Sequence, residues 1–304
     1  MQPISITHQH VLAITSSQAE RFSPGATIKV LDAGCGNGAM IQYLQTVLPE
    51  VCPQFHWEVY GYDVADHGVQ TDPDFMSGAV RHLNQALPEV QWEHRIATIS
   101  SGGPWPYKDA SFDVIVSNQV VEHLNRPAQF FSELHRCLTE DGFSAHVYPV
   151  KTQMFEGHIR VPFAHRIMNH GLLTAWIKFW NHVGFGRFKT YNQPGDSFQT
   201  FCEKEADRIT YYTRYMTCTE FLQMAKDLNF RPSFRFIQDV YFAKLRSVLR
   251  MKPKLVYSAR RNNFLDWCWT QLLKYGMIMT LFLEKKNTVL IKYADASRTS
   301  SLAH

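Results

Sequence analysis

The sequence predicts an α/β fold, a mainly parallel sheet with helices on both faces. Three observations predict it. From residue 28 to residue 148, short apolar runs alternate with stretches of helical periodicity. A glycine-rich turn, Gly34-Cys35-Gly36-Asn37-Gly38, joins the first run to the first helical stretch. Hydrophobic residues make up 45% of the 304, against 19% charged, a composition that builds a core.

The elements follow in order. Residues 1–27 read as polar and irregular, ending in the turn Ser23-Pro24-Gly25. Residues 28–33 form an apolar run stopped by glycines, the pattern of a buried strand. Residues 37–48 place Met40, Ile41, Leu44, Val47 and Leu48 at helical spacing. A second strand at 55–62 ends at Asp63, and a helix is expected over 72–87, between Pro73 and Pro88. Residues 90–97 read as a weaker third strand and 111–117 (SFDVIVS) as a strong fourth. Residues 127–138 form a helix with Pro127 in its first turn, broken by Asp141-Gly142 before a fifth strand at 143–148.

After Pro149 the alternation stops, and 150–215 is rich in aromatics, histidine and glycine. A helix at 217–228 opens with the capping pattern Thr217-x-x-Glu220. Residues 233–242 and 287–293 (NTVLIKY) read as strands. The expected organisation is a core at 1–149, an inserted substrate or lid region at 150–216, and completion of the core at 217–304 with a basic and apolar helical insertion at 243–285.

Composition narrows the function classes. The six cysteines are scattered without a C-x-x-C pair, which argues against disulfides and zinc knuckles and suits the cytoplasm. Arg21 is the first basic residue, so no charged leader is expected. No run approaches the ~18 apolar residues of a membrane span. The net charge of +4 is mild and no nucleic-acid-binding module stands out, so no nucleic-acid partner is expected. Residues 243–262 carry Lys244, Arg246, Arg250, Lys252, Lys254, Arg260 and Arg261 and no acid, ahead of an apolar stretch with Trp267 and Trp269. A helix packed on the core with a solvated basic face is expected there. Peripheral contact with a membrane surface through 243–283 is the alternative.

The glycine turn carries the chemistry. Glycines let the backbone turn tightly and approach a ligand, and the following helix offers free N–H groups. Gly34-x-Gly36-x-x-Ala39 fits a loosened dinucleotide fingerprint. Asp32, two residues before Gly34, would repel a diphosphate and would suit a ligand with an ammonium group. Asp63 could accept hydrogen bonds from ribose hydroxyls in either case.

On these residues the chain resembles the class I S-adenosylmethionine-dependent methyltransferases. VLDAGCGNG (30–38) matches their first motif and GYDV (61–64) their acidic second-strand motif. Trp105-Pro106-Tyr107 with Ser111–Ser117, Val121-Glu122-His123-Leu124, and Leu134-His135-Arg136-Cys137-Leu138 resemble later motifs. Glu140 and Asp141 depart from the usual Pro-Gly, and Arg95-Ile96-Ala97-Thr98 lacks the usual third-strand acid. The likeness covers 28–150, and more weakly 217–242 and 287–293. It implies a Rossmann-like sheet, S-adenosyl-L-methionine as cofactor, and methyl transfer. It also implies that Asp32, Gly34, Gly36 and Gly38 hold the methionine end. Asp63 and Val64 would face the ribose, Ile96 and Ala97 the adenine, and Asn118 and Gln119 the sulfonium.

An oxygen acceptor benefits from a base worth ~10²–10⁴ in rate. The candidates are His123, just past the fourth strand, and His158 and His165, in a segment that begins with Glu156. A His-His-Glu metal set is conceivable, but no H-E-x-x-H spacing supports it and no metal is expected. The expected function is O-methylation of a small-molecule, sugar or lipid-linked acceptor with a histidine base. The alternatives are N- or C-methylation in natural-product biosynthesis, a non-catalytic cofactor-binding subunit, and a nicotinamide oxidoreductase.

Overall fold

The computed structural model describes residues 5–65, 74–192, 195–258 and 262–286. The chain begins with a helix where the sequence suggests none, α1 (Ile6–Gln18). Ser5 caps it, its Oγ accepting the His8 N–H at 3.1 Å. Residues 9–17 are all buried, so the helix shows no apolar stripe and no helical period. His10 is satisfied inside, bonding the Tyr257 hydroxyl at 2.7 Å and Thr280 Oγ1 at 2.8 Å.

The alternating part then runs β1 (Thr27–Ala33), α2 (Ala39–Val51), β2 (His56–Val64), α3 (Phe75–Ala86), β3 (Ile96–Ile99), β4 (Phe112–Asn118), α4 (Pro127–Cys137) and β5 (Leu138–Tyr148). In α2 the residues Met40, Ile41, Leu44, Val47 and Leu48 are buried, as their spacing predicts. The third strand lies later and is shorter than expected. The fifth begins at Leu138, with no break at Asp141-Gly142. A Cβ at Gly142 would lie 2.8 Å from the Asp113 carbonyl oxygen, so glycine there lets β5 continue where its register with β4 shifts.

The remainder comprises α5 (His170–His182), α6 (Phe188–Tyr191), α7 (Phe198–Tyr211), α8 (Cys218–Asp227), β6 (Phe230–Ser233), α9 (Ile237–Val248), α10 (Asn263–Leu273) and β7 (Met279–Lys285). The capping box at Thr217 and Glu220 forms as its sequence predicts. The strand expected over 233–242 is instead the end of β6 followed by α9. Ile237, Val240 and Ala243 recur every three residues on the buried side of that helix, and it packs on α1 and α10. The apolar stretch after residue 263 divides into a helix and a strand. Residues 72 and 73, Arg260, Arg261 and the strand expected at 287–293 lie outside the described residues.

Among the described residues the strands form one sheet in the order β3-β2-β1-β4-β5-β7-β6. All neighbours are parallel except β7, which is antiparallel to both β5 and β6. This is a Rossmann-like sheet with helices around it. From β1 the strand order grows one way through β2 and β3, and the other way through β4 and β5. A crevice therefore opens beyond the carboxyl ends of β1 and β4. Residues 159–209 form a separate apolar cluster built on α5 and α7, including Ile159, Leu173, Ile177, Phe201 and Ile209. Trp176, Trp180, Phe188 and Phe198 pack against it, so much of the aromatic content of 150–215 is structural. No described helix is long and apolar enough to cross a membrane.

Candidate functional site

The crevice is shaped first by backbone. Gly34, Gly36 and Gly38 take φ of 82°, 55° and 80°, the left-handed region that favours glycine. A Cβ on Gly34 would lie 2.5 Å from Val120 Cγ2, while one on Gly36 would meet open space. The Gly34 and Cys35 N–H groups both donate to the Tyr62 carbonyl, at 2.9 and 3.0 Å, anchoring the turn to β2. At the end of β2, Asp63 accepts the Gly36 N–H at 2.6 Å and its neighbour's, Val64 N–H, at 2.7 Å. These charge-assisted bonds fix the carboxylate at the crevice wall.

Asp32 lies behind the turn, in register with Gly61 on β2 and Val116 on β4. It is 1% exposed, and neither carboxylate oxygen has a hydrogen-bond partner among the described residues. Burial, and after it the charge of Asp63, push its carboxyl well above the usual range. A buried acid in this state is stabilised by a cationic partner.

The cavity in the crevice has a volume of about 330 Å³. Gly34, Gly36, Asp63, Val64, Asn118 and Gln119 line it, and His123 stands on the same wall. Asp32 and Gly38, expected at the methionine end, are not in its wall. Ile96 and Ala97, expected at the adenine, are not in the wall. They pair with Gly61 and Tyr62 at the start of β3, and the strand reaches the cavity only at its last residue, Ile99. The weak apolar pattern of 90–97 misplaced the strand end by about one side-chain pair. The aromatic lining comes from Tyr62, Trp105 and Phe130 and from no residue of 150–215. Tyr62 and Trp105 pack at a tilt of 50° with 4.8 Å between ring centroids.

The second half of the site is made of side chains. A tight 3-10 turn, Val121–His123, follows β4. His123 Nδ1 meets the Tyr212 carbonyl at 2.8 Å, and the Arg214 N–H donates to the Glu122 carbonyl at 2.6 Å. His158 packs on His123 with 5.3 Å between ring centroids. Its Nδ1 is 2.8 Å from Glu156 Oε1, and Glu156 Oε2 accepts the His158 and Ile159 N–H groups, both at 2.8 Å. The Tyr215 hydroxyl donates to Glu156 as well. His165 lies one ring farther back, 5.1 Å from Tyr215, with Nε2 donating to the Lys151 carbonyl at 3.0 Å.

The electrostatics of this cluster are unequal. Burial opposes ionisation of Glu156, yet bonds and charge from His158, with Tyr215 and the Ile159 N–H, hold it at about 2. Burial lowers His158, but the bond and charge of Glu156 outweigh it and its pKa is raised. Burial lowers His165. Glu122 is fully buried and its carboxylate has no hydrogen-bond partner among the described residues; burial pushes it up to about 7. The structure thus brings His123 and His158 into contact and sets His165 behind them. Glu122 and Tyr215 are additional members. Glu122 sits in the Val121–Leu124 motif, where the sequence drew attention to the histidine alone. Tyr215 carries no local signal.

Comparison with known proteins agrees with this architecture. Residues 31–145 match the family model described as a methyltransferase domain. A Mycolicibacterium smegmatis protein described as a probable S-adenosylmethionine-dependent methyltransferase is 33% identical over 114 residues, 37% of this chain and 35% of that one. A Mycobacterium tuberculosis protein of the same description is 28% identical over 162 residues, 52% of this chain and 50% of that one. The chain thus spans between about a third and a half of the length of these relatives. Among solved structures, PKMT2 from Rickettsia typhi, in complex with AdoHcy, has the same fold. It aligns with a TM-score of 0.51 and 12% identity, over 94% of this chain and 55% of that one. Residues 31–145, which hold the glycine turn and Asp63, thus match a methyltransferase domain and are similar to S-adenosylmethionine-dependent methyltransferases.

Proposed function

We propose that this protein transfers a methyl group from S-adenosylmethionine to a hydroxyl oxygen of a small-molecule, sugar or lipid-linked acceptor. The observation that carries the cofactor half is Asp32, a buried carboxylate without a partner beside a glycine turn. An amino-acid ammonium satisfies it, whereas a diphosphate would add negative charge beside Asp32 and Asp63. Bound S-adenosylmethionine supplies an electrophilic methyl group. Asp32, Gly34, Gly36 and Gly38 hold its amino-acid end. Asp63, oriented by the Gly36 and Val64 N–H groups, accepts from the ribose hydroxyls. Ile99, in place of Ile96 and Ala97, flanks the adenine, and Asn118 and Gln119 flank the reacting centre.

On the acceptor side, the histidine cluster holds the hydroxyl and draws off its proton, with His123 at the cavity wall and His158 and His165 behind it. Segment 150–216 covers this end. The lipid-linked option, and a peripheral membrane contact, find support around α9 and α10. There Val248, Phe264 and Trp267 are exposed, beside Lys244, Arg246 and Lys252.

Calorimetry with S-adenosylhomocysteine and with NADH tests the cofactor assignment. Saturable heat with the first and none with the second is expected; the reverse overturns it. Incubation with methyl-labelled cofactor and fractionated extract tests the acceptor class. A labelled product whose methyl is on nitrogen or carbon would reject oxygen methylation.

A further inference from the structure

We propose that Glu122, His123 and His158 form a binding site for one divalent transition-metal ion at the wall of the cavity. The three side chains offer one carboxylate oxygen and two imidazole nitrogens, all within 4.8 Å of one another. An ion with bonds of about 2.0–2.2 Å brings such atoms together with small side-chain rotations. Two imidazoles and a carboxylate suit Zn²⁺, Mn²⁺, Fe²⁺ or Co²⁺ and leave coordination positions open.

The surroundings are those of a ligand set. His158 Nδ1 is held by buried Glu156, and His123 Nδ1 by the Tyr212 carbonyl. Donation from each Nδ1 to an oxygen leaves the lone pair of the neutral ring on Nε2. This is how carboxylates and carbonyls orient metal-binding histidines. Glu156 is in turn fixed by Tyr215 and two backbone N–H groups. Glu122 supplies an independent observation. It is 1% exposed, both its oxygens lack hydrogen-bond partners among the described residues, and it faces the two histidines. Glu205 adds another buried carboxyl nearby, with one oxygen also unpartnered and Arg208 3.5 Å from the other. A dication is the natural counter-charge for such a cluster. Because His123 lines the cavity, an ion held there can bind an acceptor oxygen and lower its pKa. That role rests on the methyltransferase reading and makes His123 and His158 ligands rather than proton acceptors; the site itself does not rest on it.

The test uses the full chain, stripped with a chelator and titrated with Zn²⁺ and Mn²⁺ by calorimetry, and with Co²⁺ followed by visible absorption. One saturable site is expected. Glu122→Gln and His158→Ala should each weaken it at least tenfold. Glu156→Gln, which acts through His158, should weaken it about 10–100-fold. His182→Ala, on the outside of α5, should leave it unchanged. No saturable binding of any of the three ions, or parental affinity in Glu122→Gln and His158→Ala, overturns the proposal. S-adenosylhomocysteine titrations on the same samples separate the two readings. Metal binding without that heat keeps the site and removes the methyltransferase role, and that heat without metal binding does the reverse.

Discussion

The glycine turn and the histidine cluster are built by different means. The glycine turn is made of backbone: three left-handed glycines, N–H donors and one acid whose position they fix, nearly all within residues 32–38 and 61–64. The histidine cluster, of which His123 lines the cavity, is drawn from four separate places, the 122–123 turn, 156–158, 165 and 212–215. A backbone site needs a particular local conformation, so its residues must be contiguous and their types are restricted. A side-chain site needs only convergence in space, which the fold supplies and the local sequence does not record.

The contrast can be broken or sharpened by substitution, taking the largest expected effect first. Gly34→Ala combines a positive φ with a Cβ 2.5 Å from Val120, and should cost about 2–5 kcal/mol of stability by strain and overpacking together. Gly36→Ala, with open space around its Cβ, should cost only about 1–2 kcal/mol. Thermal unfolding of the pair measures the difference, and equal losses would mean that packing on Val120 is irrelevant.

Acid should weaken the core through His146. This residue is buried on β5, bonded to Ser117 Oγ at 2.8 Å, and burial lowers it to about 3. The unfolded chain protonates it near pH 6.5 while the folded chain does not. Its contribution is therefore intact above pH 6.5 and is lost progressively between pH 6.5 and 3. At pH 4.5 the loss is about 2–3 kcal/mol. Denaturant unfolding at pH 7 and 4.5 should show a smaller drop in His146→Gln than in the parent; equal drops would reject the assignment.

Asp63→Ala should weaken S-adenosylhomocysteine binding by about 1–3 kcal/mol, read by calorimetry. Unchanged affinity would remove Asp63 from the ribose. The smallest effect belongs to the histidine cluster. Tyr215→Phe deletes one bond to Glu156 and should cost about 0.5–1.5 kcal/mol, seen as slower turnover with cofactor affinity unchanged. A loss of cofactor affinity in that variant would mean that the two parts are not separable.

The same division explains what could be read in advance. β1, α2, β2, β4 and the turn at Gly34 were legible because period and punctuation coincide there. α1 was not, since a helix buried on every side has no apolar stripe. α9 read as a strand because Phe234, Phe236 and Val240 alternate with polar residues, while the deciding contacts come from α1 and α10. The end of β3 was misjudged because Ile96–Ile99 is short and half-buried, too weak a pattern to mark where the strand meets the cavity. In the histidine cluster, His123, His158 and His165 stood out as residue types. Glu122 and Tyr215 acquire meaning only from burial and proximity.

The Tyr212 carbonyl and the Arg214 amide both grip the turn that carries Glu122 and His123. The end of segment 150–216 is thereby stitched onto the turn that follows β4. Excising that segment would not leave the turn as it stands. It would strip the turn of both clasps and leave Glu122 and His123 without the bonds that place them.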